Sequence, residues 1–83
     1  MLTYFVVQSF QAGNKGNLFA DIPVSVADRR HAEKLAERLS VIKIGVVAFS
    51  RTGDPATGEY ADAEVIVAYG TFPGEISERT AAA

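Results

Sequence analysis

Three segments of this chain, Tyr4-Phe5-Val6-Val7, Val46-Val47-Ala48-Phe49 and Val65-Ile66-Val67-Ala68-Tyr69, are apolar at even and odd positions alike. Alternate side chains of a strand leave opposite faces of its sheet, so a sheet with one wet face alternates apolar with polar residues. These segments largely do not alternate, and each reads as a strand with apolar groups on both sides. One helix-patterned stretch is available to cover them. Four strands about 4.8 Å apart make a sheet roughly 19 Å wide, whereas a helix is about 10 Å across. A single helix therefore roofs about half of one face. The remaining apolar surface needs another cover, and a second copy related by a two-fold axis is the simplest one.

Size points the same way. A chain of 83 residues is one domain, and a core of this size buries only about 60 to 65% of the surface its unfolded chain exposes, so association adds stability it needs. Hydrophobic residues make up 48% of the chain and charged ones 22%, a balance that folds. The absence of cysteine excludes a disulfide framework and a thiolate ligand or nucleophile, and fits a reducing cytoplasm. Met1 leads directly into a strand-like segment, with neither a basic leader nor an apolar run of spanning length, so neither export nor a membrane partner is expected. The formal net charge is −2 with 8 basic residues spread along the chain. That pattern gives no footprint for a phosphate backbone, and nucleic acid is not expected as a partner.

Leu2 to Gln11 is rich in β-branched and aromatic residues, and Ala12-Gly13-Asn14-Lys15-Gly16-Asn17 follows as a turn. The second arm of this hairpin, Asn17 to Pro23, closes at a proline that has no amide to donate. Ser25 reads as a helix N-cap with Asp28 three residues on, although Asp28 can itself cap a helix that starts later. The helix is placed at Val26 to Val41. Ala32, Leu35, Ala36, Leu39 and Ile42 form its core stripe, with Arg29, Arg30, Glu33, Lys34, Glu37 and Arg38 mostly outside it. Ile44 to Arg51 and Tyr60 to Phe72 are the third and fourth strands, joined by a loop from Thr52 to Glu59 that is dense in Gly, Pro and Asp. The expected fold is α+β, a ββαββ unit with a four-stranded antiparallel sheet and one helix packed on one face. Residues 1–73 form the domain and 74–83 a flexible tail.

Chemical constellations are few. His31 is the single histidine, and neither a second histidine nor a His-x-x-x-His face completes a metal site with it; no metal or cofactor is expected. No serine sits in a nucleophile elbow. Asp54, Glu59, Asp62 and Glu64 cluster near the long loop without the ladder of a calcium-binding loop, and read as a turn former and edge charges. Ser50-Arg51-Thr52-Gly53 offers amides beside a cation, the minimum for holding an anion. Arg51 is the candidate ligand-binding residue there, with Thr52 and Asp54 to orient it. Tyr4, Val6, Phe10, Val46 and Ala48 are the candidate interface residues, the set turned away from the helix if Phe5, Val7, Val47 and Phe49 point to it; only the strand registers decide which set is which.

The order Tyr4-Phe5-Val6-Val7-Gln8-Ser9-Phe10, then Ala32-Glu33-Lys34-Leu35-Ala36-Glu37-Arg38-Leu39, then Val65-Ile66-Val67-Ala68-Tyr69-Gly70-Thr71-Phe72-Pro73 resembles the sporulation-related repeat. The resemblance implies a peptidoglycan-binding domain. Here a hairpin arm is added before the helix, no glycine precedes Ser9-Phe10, and no second helix and last strand follow.

Three functional readings result. The first is a non-enzymatic interaction or regulatory module, a homodimer through a sheet face with room for another protein partner. The second is a small dimeric enzyme using His31 with a carboxylate. The third is the peptidoglycan-binding domain.

Overall fold

The computed structural model describes residues 1–71; the expected tail at 74–83 lies outside the described residues. A long strand, β1 (Leu2–Ala12), runs through a short 3-10 turn at Asn14–Gly16 into β2 (Leu18–Ala20) and then β3 (Val24–Val26). The helix α1 (Arg29–Leu39) follows, and then β4 (Gly45–Asp54), β5 (Glu59–Tyr60) and β6 (Glu64–Gly70). The turn after β1 needs left-handed backbone at Lys15 (φ 57) and Gly16 (φ 78), which glycine adopts without strain.

The sheet is antiparallel throughout and has six strands, not the four expected, so the ββαββ order is corrected to three strands before the helix and three after it. β1 and β4 form the centre, paired from Leu2↔Gly53 to Phe10↔Gly45. Each outer side is made of two short strands. β3 pairs with Phe5–Val7 and β2 with Phe10–Ala12 of β1; between them the strand is interrupted over 21–23, where the Asp21 amide still reaches the Ser9 carbonyl but Pro23 has no amide to give. On the far side, β5 pairs with Gly53–Asp54 and β6 with Gly45–Ser50 of β4, with a bulge at Ala48/Phe49. β4 runs on to Asp54, which shortens the expected Thr52 to Glu59 loop to a turn at 55–58.

The helix begins later than its composition suggests. Asp28 is the N-cap, its Oδ1 accepting the His31 amide at 2.9 Å, while Ser25 belongs to β3. The Ser40 amide donates to Ala36 and its hydroxyl to the Glu37 carbonyl at 2.6 Å, ending the helix before Val41.

Alternation and register together decide which apolar residues meet the helix. Val7 lies opposite Ala48, and Ala48 opposite Val67, so these share a face. They pack with Val46, Ala32 and Ala36 in one buried cluster that Phe5, Leu35, Leu39 and Tyr69 border. The grouping of Val46 and Ala48 with Tyr4, Val6 and Phe10 is thereby corrected. Both lie at 0% exposure beneath the helix. Alanine at positions 32 and 36 lets the helix axis approach the sheet closely, and burying Val7 and Val46 contributes about 1.5 to 3 kcal/mol each. On the opposite face, Val47 (2% exposed) and Phe10 (4%) are also buried, outside the helix-side cluster. Apolar burial on both sides of the central strands is thus real. No helix among the described residues is long and apolar enough to cross a membrane.

Candidate functional site

The helix-distal face exposes apolar side chains chiefly at one end. Tyr4 of β1 sits directly across from Arg51 of β4, and Tyr60 of β5 lies across from Gly53. The Arg51 guanidinium is 5.3 Å from the Tyr60 ring centroid, within cation–π range. The Tyr4 and Tyr60 rings are 6.2 Å apart and tilted by 46°, a favourable aromatic geometry. Arg51 Nε donates to the Ala61 carbonyl at 3.3 Å, fixing the base of the fork. Gly53 makes room for the arrangement, because a Cβ there would overlap the Tyr60 ring. Leu2, Tyr4, Arg51 and Tyr60 are all exposed. The neighbouring Tyr4 hydroxyl pushes the Tyr60 phenol above its ordinary value, and Arg51 pulls it the other way.

The residues expected to form an anion site do not converge. Arg51 and Thr52 leave opposite faces of β4, and Thr52 Oγ1 is 2.9 Å from Thr3 Oγ1 across the ladder. Asp54 Oδ1 accepts the Ala56 amide at 2.9 Å and so braces the turn before β5. His31 stands on an open helix surface, its Nδ1 2.9 Å from Asp28 Oδ1, while Glu33 lies 3.7 Å from Arg29 instead. Beside His31 lies a shallow depression shared with Lys34, Glu37, Arg38 and Val41. Among the described residues no group of three His, Asp or Glu side chains is placed to hold a metal ion.

Sequence reasoning missed a polar cluster at the other end of the sheet. Asp21 Oδ2 accepts the buried Ser9 hydroxyl at 2.7 Å and lies 3.2 Å from Lys43 Nζ. Gln11 Nε2 donates to Oδ1, and Gln8 Nε2 to the Asp21 carbonyl at 2.6 Å. The Ser9 hydroxyl, then Gln11 and Lys43, hold the Asp21 carboxyl below its ordinary range against the opposing effect of desolvation. These groups satisfy one another and tie the 21–23 segment to the segment after α1. Tyr60 was missed as a site residue because its neighbours Tyr4 and Arg51 come from other strands, and only the registers bring them together. Comparison with known protein families, curated proteins and solved structures returns no match.

Proposed function

We propose that this chain is a small non-enzymatic interaction module that works as a homodimer, with the helix-distal sheet face as the surface that meets its mate. The observation that carries this reading is the exposed end of that face, where Leu2, Tyr4 and Tyr60 surround Arg51. Single exposed apolar side chains are ordinary, whereas a contiguous group is characteristic of an interface. Tyrosine and arginine are enriched among residues that anchor interfaces, because they bring large contact area and a polar handle together. A two-fold axis sets this surface against itself, so one patch serves both copies. A stable dimer buries about 800 Å² on each partner. The contact therefore extends from the aromatic end across the half-buried Val6, Phe49 and Val65.

The paired substitution Tyr4→Ser and Tyr60→Ser tests the reading by light scattering. Truncating an anchor costs about 2 kcal/mol, so the pair is expected to turn a micromolar dimer into a monomer with an unchanged circular-dichroism spectrum. A pair variant that dimerises as tightly as the parent removes this face from the interface.

A further inference from the structure

A second exposed apolar group lies away from that face, beyond the C-terminal end of α1. Ile22 is 88% exposed, Val41 83% and Ile42 73%. Two separate segments carry them, and the structure holds those segments together. Lys43, next to Ile42, lies 3.2 Å from the carboxylate of Asp21, next to Ile22. The Lys43 amide donates to Leu39 and the Asp21 amide to Ser9, so neither segment is free to fold its aliphatic residue inward. Val41 also borders the shallow depression on the outer helix surface, with His31, Lys34, Glu37 and Arg38.

The helix and the segment after it are the most basic stretch of the chain. Between Arg29 and Lys43 the chain carries five basic and two acidic side chains, although its net charge is −2. Arg29 pairs with Glu33 and Lys43 with Asp21, and Asp28 is engaged as the helix cap. Among the described residues Arg30, Lys34 and Arg38 form no ion pair, and Glu37 is the carboxylate interspersed with them on the helix.

We propose that this corner binds a membrane surface bearing anionic lipid headgroups, with Ile22, Val41 and Ile42 entering the boundary between headgroups and acyl chains and Arg30, Lys34 and Arg38 facing the phosphates. Apolar insertion combined with cations is how proteins hold to such a surface, and it needs no spanning helix. The shape favours lipid over a protein partner. These aliphatic side chains protrude and include no aromatic anchor, which suits a fluid phase that needs no complementary pocket. The residues lie off the helix-distal sheet face, so this proposal stands or falls separately from the homodimer.

The test is co-sedimentation of the full chain with vesicles of phosphatidylcholine alone and of phosphatidylcholine mixed with phosphatidylserine, at low and at high salt. The expected result is pelleting with the anionic vesicles that weakens as salt rises. Val41→Ser with Ile42→Ser is expected to lower partitioning roughly tenfold or more, since both substitutions remove inserted apolar groups. Lys34→Glu with Arg38→Glu is expected to abolish the preference for phosphatidylserine. Both pairs are surface changes, and thermal melts of the variants check that they fold. No pelleting with phosphatidylserine vesicles at low salt overturns the proposal. So does pelleting that neither pair alters, or capture of an acidic protein through Val41 and Ile42 without any vesicle binding.

Discussion

Val46 and Val41 are five residues apart and chemically identical, yet the structure predicts opposite outcomes for their truncation. Val46 is fully buried against Ala32, Ala36, Val7 and Ala48. Val46→Ala removes apolar groups worth about 1.6 kcal/mol, at ~0.8 kcal/mol for each buried methylene equivalent. The neighbours are small and anchored in a helix and a sheet, so they relax little into the gap. A residual cavity of roughly 40 Å³ adds about 1 kcal/mol, at ~24 cal/mol per Å³. The total of about 2.5 kcal/mol is a large share of the roughly 4 to 12 kcal/mol that a chain of this size has in all. It lowers the melting temperature by about 10 to 20 °C. Val41→Ala, at an exposed position, changes stability by less than about 0.5 kcal/mol. Thermal and urea unfolding followed by circular dichroism at one fixed protein concentration reads both, the concentration being held because association feeds into apparent stability. If the two variants melt within a few degrees of each other, the packing of α1 on β1 and β4 is wrong.

Acid titration of unfolding probes Asp21. Its carboxyl is held below the value of 3.8 that it has when unfolded, so its contribution is present above about pH 4 and lost as pH falls through the lower folded value. Asp21→Asn is expected to be less stable at neutral pH and to show a flatter acid limb; an acid limb matching the parent's contradicts the Ser9, Gln11 and Lys43 contacts. Gly53→Ala places a Cβ into the Tyr60 ring and 2.7 Å from the Glu59 carbonyl oxygen. About 1 to 3 kcal/mol of stability is expected to go with it. Near-ultraviolet circular dichroism, which reports tyrosine strongly in a chain without tryptophan, is expected to change as Tyr60 leaves Arg51. An unperturbed spectrum refutes that geometry. Tyr4→Phe removes the hydroxyl that raises the Tyr60 phenol, so spectrophotometric titration is expected to find Tyr60 ionising at lower pH than in the parent, and no downward movement argues against the pairing.

Local pattern carried the helix and the central strands well. Ala32, Leu35, Ala36 and Leu39 recur at helical spacing and do meet the sheet. Ile42 continues that spacing in sequence but falls past the end of the helix at Leu39, where spacing no longer implies a shared face. Asp28 displaced Ser25 as the cap because its carboxylate reaches the His31 amide, while Ser25 is taken up in pairing with Val6. The outer strands were legible as arms but not as broken ones, since the gap at 21–23 depends on how the chain re-enters the ladder. Faces were the main loss. Val46 and Val47 are equivalent by composition, and only the pairing of Ser9 with Val46 and Gln8 with Val47 sends one under the helix and the other away. The Tyr4, Arg51 and Tyr60 cluster failed to appear for the same reason, as registers between distant segments leave little trace in local sequence.

Burial of Val47 and Phe10 on the helix-distal face leaves the aromatic end and the half-buried strip beside it as the surface on which the proposed dimer contact rests. Sedimentation equilibrium of the purified chain across micromolar concentrations addresses that contact directly. A mass close to twice 8.9 kDa is expected, falling toward the single-chain value for the Tyr4→Ser, Tyr60→Ser pair. A parent protein that holds the single-chain mass throughout the range contradicts the dimer.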